Sequence, residues 1–156
     1  MTNPGIIRRA SLDDLDRIVE LEKKCFQDNL SYSRRQLRYL LTKANSTFLV
    51  ETYEETVRGF IIILYKKGTT VAGVETVDVD PNHQKQGIGL HLLKEAEEEM
   101  KNKGIKKIRL EVSTTNLAAI ALYKKAGFRT FVLLKNYYLY NHQGSRDAVR
   151  MIKNLH

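Results

Sequence analysis

The segment at residues 77–100 constrains the fold more than any other part of the chain. It reads VDVDPNHQKQGIGLHLLKEAEEEM, in which a β-branched run meets Pro81, then two glycines, then a helical pattern. Glycines between a strand and a helix let backbone N–H groups turn toward an anion, and the first helical turn adds unpaired donors and the positive end of the helix dipole. The junction therefore predicts a pyrophosphate site at the edge of a sheet.

The spacing of these glycines argues against two common phosphate sites. The segment lacks the G-x-x-x-x-G-K-[ST] pattern of a nucleoside-triphosphate loop, and it is not the G-x-G-x-x-G that follows the first strand of a Rossmann domain. Taken alone, Q-x-x-G-x-G is a weak signal, because a tight turn that binds nothing also fits it.

The order of elements predicts an α/β fold in one domain, residues 1–156. Strands are expected at 6–10, 47–52, 57–66, 71–80 and 107–113, and two more flank a polar loop at 141–147 near the end. Helices are expected from residue 13 to 25, from 33 to about 43, from the glycines to Gly104, and from 117 to 126. Ser33, with Gln36 three residues on, fits a cap for the second helix. The apolar stripe of the third is predicted at Leu90, Leu93, Ala96 and Met100. FIIILY is apolar on both alternating faces, as in a central strand. We therefore predict a mixed sheet of six to seven strands flanked by about four helices.

Composition says more about the partners and the cellular location of the protein than about its reaction. The formal charge of +8 suits a polyanionic partner such as a phosphorylated cofactor or an RNA-rich particle. The basic residues fall in short clusters between acidic helix faces, which indicates ordinary solvated surface, so no specific nucleic acid is predicted. The single cysteine, Cys25, is interpreted as a small apolar residue on a buried helix face. With no long apolar run at the start or elsewhere, we expect a soluble cytoplasmic protein.

Three motifs together resemble the GNAT acetyltransferase superfamily, and within it the RimI-like protein N-terminal acetyltransferases. They are VDVDPNHQKQGIGLHLL, IRLEVSTTNLAAIALYKKAGF and the NYY that precedes DAVRM, and they cover residues 71–151 in the expected order. The resemblance implies a GNAT fold and the use of acetyl-CoA as acetyl donor.

The resemblance also implies which residues contact acetyl-CoA. The glycine junction would hold the pyrophosphate on Gln84, Lys85, Gln86, Gly87, Ile88 and Gly89. The strand at Val77, Asp78 and Val79 would pair with the pantetheine arm, and a backbone N–H near Val79 would polarise the thioester carbonyl. Asn116 and Tyr123 would touch the cofactor, although Asn116 is equally well explained as a helix N-cap.

Two residues match the positions that RimI-like enzymes use for proton transfer. Glu111 would take the proton of the attacking amine, and Tyr123 would supply one to the departing thiolate. Without the resemblance, Glu111 reads as a solvated strand carboxylate and Tyr123 as a half-buried helix aromatic. Glu75, on the preceding strand, is the second candidate base. The histidines lack ligand spacing, so no metal is expected.

The substrate is expected to be an N-terminal α-amine. At pH 7.4 about a quarter of α-amines are neutral, against about 0.1% of lysine amines, so one modest base favours the former. The resemblance places Tyr137 and Tyr138 on the backbone of the peptide's first residues, whereas cross-strand packing is the alternative. Phe26 and Tyr32 would border the same peptide, in a loop, CFQDNLSYS, that lacks the proline and tryptophan common in the family.

Alternatives for the function, the substrate and the oligomeric state remain open at this point. The enzyme could instead acetylate a lysine side chain or a small amine such as a polyamine. The fold could also serve as a non-catalytic acetyl-CoA sensor or an RNA-associated adaptor. A ribosomal protein is one candidate substrate, and the chain could act as a monomer or a homodimer.

Overall fold

The computed structural model describes residues 5–26, 30–142 and 144–156. The strands are β1 (Ile6–Arg9), β2 (Ser46–Tyr53), β3 (Thr56–Tyr65), β4 (Val71–Val79), β5 (Lys107–Ser113), β6 (Arg129–Leu134) and β7 (Ala148–Asn154). The helices are α1 (Leu15–Cys25), α2 (Arg34–Thr42), α3 (Ile88–Asn102) and α4 (Leu117–Lys125). Residues 27–29 of the predicted CFQDNLSYS loop and residue 143 of the predicted terminal loop lie outside the described residues.

All seven strands form one mixed sheet, as predicted. Their order is β1-β2-β3-β4-β5-β7-β6, and β4 with β5 is the parallel pair. The prediction of a central strand for FIIILY is confirmed, because β3 lies between β2 and β4 and is apolar on both faces. Phe60 and Ile62 pack into one core cluster, whereas Ile61 and Ile63 pack into the other.

Two helical layers cover the two faces of the sheet. The layer of α1 and α2 packs on Phe60 and Ile62, and the layer of α3 packs on Ile61 and Ile63. The caps hold as predicted where they are most local: Ser33 Oγ accepts the Gln36 N–H at 3.1 Å, and Asn116 Oδ1 accepts the Ala119 N–H at 3.2 Å.

The prediction for the apolar stripe of α3 was wrong at one position. Leu92 is fully buried, whereas the predicted stripe residue Leu90 is only half-buried. Both leucines lie within a turn of Gly89, which packs against Leu122 of α4 and Val77 of β4, and Leu92 lies on the same buried face as that glycine. The spacing of apolar residues along α3 does not predict this packing of Gly89.

The C-terminal strand pair was also predicted with the wrong boundary. The first of the two strands ends at Leu134, so Tyr137 and Tyr138 lie in a loop, residues 135–147, and cross-strand packing is not their role. Asn136 turns the chain with a φ of 53°, and its N–H donates to Asp147 Oδ1 at 2.8 Å. This local turn overrides the strand preference of the aromatic run.

The sheet opens into two halves between its parallel strands. β4 pairs with β5 only through residues 71–73, opposite 107–109. Beyond that point β4 stays paired with β3 as far as Val79, and β5 stays paired with β7 as far as Ser113. The two strands therefore diverge and leave a gap with an unpaired backbone edge on each side.

Candidate active site

Backbone groups from both strands point into the gap. Asp80 N–H donates to the Arg58 carbonyl at 2.7 Å, and hydrogen-bonded pairs alternate in an antiparallel ladder. The N–H and C=O groups of Val77 and Val79 therefore face away from β3, into the gap. Thr114 N–H donates to the Asp147 carbonyl at 3.1 Å, so the same alternation turns the backbone of Glu111 toward the gap from the other side.

The glycine-rich junction lies at the end of β4, beside the gap. Gly87 has a φ of 82° and forms the N-cap of α3, and the first bond of the helix runs from His91 N–H to its carbonyl at 3.0 Å. The N–H groups of Ile88, Gly89 and Leu90 consequently have no acceptor within the helix. No acidic residue occupies that first turn. The junction thus presents a row of backbone donors suited to an anion.

Gly89 connects this junction to the gap through close packing. A Cβ atom at this position would lie 3.0 Å from Leu122 Cδ2 and 3.8 Å from Val77 Cγ1. The start of α3 therefore packs directly against α4 and β4, which places the free donors next to the strand edge that they follow.

A cavity of about 380 Å³ occupies the gap. Its walls come from the end of α1 and the segment after it, from β4, β5 and α4, and from the loop 135–147. Three carboxylic residues line it, namely Glu22, Glu75 and Glu111, and no lysine or arginine does so among the described residues. The lining favours a cationic or amine-bearing ligand, although the chain as a whole is basic.

Tyr123 contributes a buried ring to this cavity. It is 8% exposed, and its ring meets Phe128 edge-on with centroids 5.8 Å apart. Within the described part of the chain its hydroxyl has no hydrogen-bond partner. Burial, followed by the charges of Asp78 and Tyr138, raises the pKa of Tyr123 well above that of free tyrosine, so the hydroxyl keeps its hydrogen.

The two candidate bases have different surroundings. Glu111 Oε2 accepts hydrogen bonds from Arg150 Nε at 2.7 Å and from Arg109 Nη1 at 3.3 Å, and these two guanidinium groups fix its orientation. Glu75 is exposed and accepts the Tyr32 hydroxyl hydrogen. It is also the extra residue of a β-bulge, because Ile62 and Ile63 pair with its two neighbours and skip it.

A buried pair of carboxyl groups lies at the cavity wall, where Glu22 is one of the lining residues. Glu22 and Asp78 are each 1% exposed, and burial together with a hydrogen bond donated to Glu22 raises the pKa of Asp78. Asp78 Oδ1 accepts the Thr76 hydroxyl at 2.6 Å, and Glu22 Oε2 accepts the Tyr32 N–H at 2.8 Å. The remaining oxygens, Glu22 Oε1 and Asp78 Oδ2, have no other partner among the described residues. Asp78 therefore keeps a proton that it can donate to Glu22.

The loop 135–147 closes the cavity on the opposite side. Tyr138 stacks on His142 with ring centroids 4.2 Å apart, Tyr137 meets Tyr138 edge-on, and His142 also contacts the ring of Phe26. Ser113 Oγ donates to the His142 carbonyl at 2.6 Å and ties the loop to β5. Burial raises the pKa of Tyr138 to about 12 and lowers that of His142.

Most of the residues predicted for the site do line the cavity. They are Glu111, Tyr123, Glu75, Val77, Asn116, Phe26, Tyr32, Tyr137 and Tyr138. The junction residues Gln84 to Gly89 lie beside the cavity, and Val79 lies at its edge, where its carbonyl accepts Cys25 Sγ and Gln84 Nε2, each at 3.4 Å. The Asp78 side chain turns away from the cavity into the core, whereas the prediction for Asp78 concerned strand pairing with the pantetheine arm. Burial raises the pKa of Cys25 to about 12, in keeping with an unreactive thiol.

Sequence reasoning missed Glu22, His142 and the arginine partners of Glu111. The sequence held a signal for the partner of Asp78, which proves to be Glu22. A carboxyl group on the buried face of an alternating strand requires a polar partner. His142 carried no such signal, since its place depends on how the loop 135–147 folds back.

Neither a membrane span nor a metal cluster is found in the described part of the chain. No helix there is long and apolar enough to cross a bilayer. Three or more metal-ligating His, Cys, Asp or Glu side chains do not come together within residues 5–26, 30–142 and 144–156.

Comparison with known proteins identifies the family of this chain. The model described as the acetyltransferase (GNAT) family matches residues 15–128. The ribosomal protein bS18 alanine N-acetyltransferase of Escherichia coli strain K12 is 40% identical over 75 residues, or 48% of this chain and 50% of that protein. The chain thus spans about half the length of that relative. The N-alpha-acetyltransferase of Sulfolobus acidocaldarius is 30% identical over 151 residues, covering 85% of this chain and 84% of that protein.

Solved structures agree with the sequence matches. Ard1 from Thermoplasma volcanium superposes with a TM-score of 0.85 at 26% identity, covering 99% of each chain. The E. coli ribosomal-protein-S18-alanine N-acetyltransferase gives a TM-score of 0.83 at 26% identity over 96% of this chain and 93% of that chain. With its split sheet, its glycine-rich junction and these matches, the chain belongs to the GNAT acetyltransferase family.

Proposed function

We propose that the protein transfers the acetyl group of acetyl-CoA to the α-amine at the N-terminus of a protein or peptide. The observation that carries this proposal is the carboxylate-lined cavity in the gap between β4 and β5, beside the free N–H groups at the start of α3. Such a site holds an amine and a phosphorylated donor next to each other. Two relatives named as N-alpha-acetyltransferase and as alanine N-acetyltransferase support this choice of amine.

The residues present fit acetyl-CoA at two places. The free N–H groups at the start of α3 would bind the pyrophosphate, together with the backbone of residues 84–87. The edge groups of Val77 and Val79 would pair with the amides of the pantetheine arm, and one N–H there would donate to the thioester carbonyl. A backbone donor aimed at developing negative charge contributes about 2.7 to 4 kcal/mol in enzymes where one has been removed.

Acetyl-CoA supplies an activated acetyl group and a sulfur leaving group. As the N–C bond forms and the C–S bond breaks, the amine must lose one proton and the sulfur must gain one. We assign the first task to Glu111, whose orientation Arg150 fixes, with Glu75 as the second candidate. We assign the second task to Tyr123, whose unpartnered hydroxyl stays protonated.

The acidic lining of the cavity also fits a second class of substrate, namely lysine side chains and polyamines. Three carboxylic residues in one cavity would also hold a lysine side chain or a polyamine. A small-molecule site, however, is normally enclosed, burying about 70 to 90% of its ligand. Here two rim residues, Leu139 and Tyr140, are 85% and 57% exposed, which leaves room for a chain to extend outward.

The proposal is tested by acetyl transfer to short peptides that differ at the amine. We expect transfer to peptides with a free α-amine, and no transfer to the same peptides with a blocked α-amine and a free lysine. The α-amine has the lower pKa and is far more often neutral near pH 7. Mass spectrometry of the products locates the acetyl group. Acetylation of blocked peptides or of spermidine at comparable kcat/KM would assign the enzyme to the alternative class.

The role of the junction is tested by two glycine replacements that impose the same strain. Gly87 and Gly68 have φ values of 82° and 81°, and a Cβ at either position would have no neighbour within 4 Å. Alanine at either position should therefore cost about 1 to 2 kcal/mol of unfolding free energy from the left-handed backbone alone. Only Gly87→Ala should also weaken acetyl-CoA binding, by about tenfold, because it disturbs backbone donors to a charged group.

Isothermal titration with acetyl-CoA separates the two effects. Equal Kd values for Gly87→Ala and Gly68→Ala would show that the junction does not hold the cofactor.

A further inference from the structure

The fold gathers separate lysine clusters at one end of the sheet, where β4 and β5 begin. Tyr65 N–H donates to the Asn45 carbonyl at 2.9 Å, Lys106 N–H to the Thr70 carbonyl at 2.8 Å, and Leu155 N–H to the Lys106 carbonyl at 2.8 Å. These bonds join four segments, residues 43–45, 65–70, 103–107 and 154–156, which are distant in the sequence.

Six exposed lysines lie on these segments, and we call them the basic end. They are Lys43, Lys66, Lys67, Lys103, Lys106 and Lys107. The four segments contain no aspartate or glutamate. Ion pairs within the described ranges involve none of the six, although Lys103 Nζ lies 5.2 Å from the centre of the Tyr65 ring.

The acidic residues that precede Lys103 on α3 pair with other cations. Glu97 binds Lys153 at 2.9 Å, Glu98 binds Lys101 at 3.7 Å, and Glu99 binds Arg9. These three carboxylates are therefore not paired with the lysines of the basic end.

The basic end and the cavity lie at different ends of β4. Val74, the cavity-lining residue of β4 that comes first along the strand, is three residues from Val71, or about 10 Å at a rise of about 3.3 Å per residue. The carboxylic residues lie at the cavity and the unpaired lysines at the opposite end, so the molecule is electrically polar. A polyanion bound at the basic end would leave the cavity open.

The chemistry of the basic end favours a phosphate backbone over other polyanions. None of the large exposed apolar side chains lies on the four segments, whereas membrane insertion or a protein interface with an apolar centre would use them. The lysines sit at turns and element ends, so no helix face is offered to the major groove of duplex DNA. We propose that the basic end binds RNA through its phosphates, without reading base sequence, while the active-site cavity faces away from it.

This proposal predicts the strength of the salt dependence. Each phosphate that a lysine neutralises on a single strand adds about 0.7 to the negative slope of log Kobs against log salt concentration. Full engagement of the six lysines would give a slope of about −4. Diffuse attraction to a basic protein would not depend on which lysines are present.

The test compares two variants of equal net charge. One carries Lys66→Gln, Lys67→Gln, Lys106→Gln and Lys107→Gln at the basic end. The control carries Lys23→Gln, Lys94→Gln, Lys124→Gln and Lys125→Gln, all exposed elsewhere. Fluorescence anisotropy with a labelled, unstructured RNA of twenty or so nucleotides, from low to moderate salt, should give a slope smaller by about 3 units for the first variant and an unchanged slope for the control.

Several results would overturn the proposal. These are the absence of RNA binding at low salt, an equal loss in both variants, or tighter binding to duplex DNA or to anionic vesicles than to RNA. Acetylation of a short free peptide should be equal in both variants and the wild type. Because RNA binding is measured without acetyl transfer, failure of this inference is distinct from failure of the proposed activity.

Discussion

Tyr123→Phe should lower kcat for acetyl transfer by about 10²- to 10³-fold while leaving Tm unchanged. The raised pKa of Tyr123 keeps the hydroxyl protonated, so it can donate a hydrogen bond to the sulfur as negative charge develops there. A phenol near pKa 10 gives its proton only reluctantly to a thiolate whose conjugate acid is near 8.5, and burial increases that mismatch. The benefit therefore lies in donation during the transition state, and the loss should appear in kcat more than in KM.

The stability of the variant should be preserved for a reason visible in the structure. The hydroxyl of Tyr123 has no partner among the described residues, so its removal breaks no native hydrogen bond there, and the ring contact with Phe128 remains.

Tyr65→Phe provides the matched control. The Tyr65 hydroxyl bonds to Thr47 Oγ1 at 2.6 Å and lies away from the cavity. This variant should lose about 1 kcal/mol of unfolding free energy and keep its kcat. A Tyr123→Phe enzyme with wild-type kcat would remove Tyr123 from the proposed chemistry.

The features that sequence predicted best are those with a local cause. The junction at Gly87 follows from a left-handed backbone and a helix start within a few residues, and the caps at Ser33 and Asn116 span three residues each. The central position of β3 followed from its own double-faced apolar pattern.

The geometry of the site depends on contacts that are distant in the sequence. The gap exists because β4 and β5 pair for only three residues. The residue types of the two strands do not indicate where that pairing stops. Glu111 meets Arg150 across 39 positions, and Tyr32 meets Glu75 across 43. Aromatic composition suggested a strand for Tyr137 and Tyr138, yet these tyrosines line the cavity from a loop. Functional residues are where local preference is most often overridden.

Asp78→Asn should make the protein more stable than the wild type by a margin that grows as pH rises. Burial and a hydrogen bond donated to Glu22 raise the pKa of Asp78 above its ordinary value of 3.8. The folded chain therefore keeps a proton that the unfolded chain releases, and stability falls as pH climbs above about 4, by at most about 1.4 kcal/mol per pH unit. An asparagine amide would donate to Glu22 Oε1 at every pH, and its oxygen would still accept the Thr76 hydroxyl.

Asp80→Asn, two residues along the chain, should behave in the opposite way and serves as the control. Burial alone would raise the pKa of Asp80, but hydrogen bonds from the Asn82 N–H at 3.0 Å and from Arg17 Nη2 at 2.7 Å lower it overall. Its ionised form stabilises the fold above about pH 4, so the variant should lose about 1 to 3 kcal/mol at neutral pH and little in acid. Urea unfolding at pH 3, 5, 7 and 9 measures both differences against the wild type. A pH-independent margin for Asp78→Asn, or a loss of stability at pH 9, would mean that Asp78 holds no proton in the folded chain.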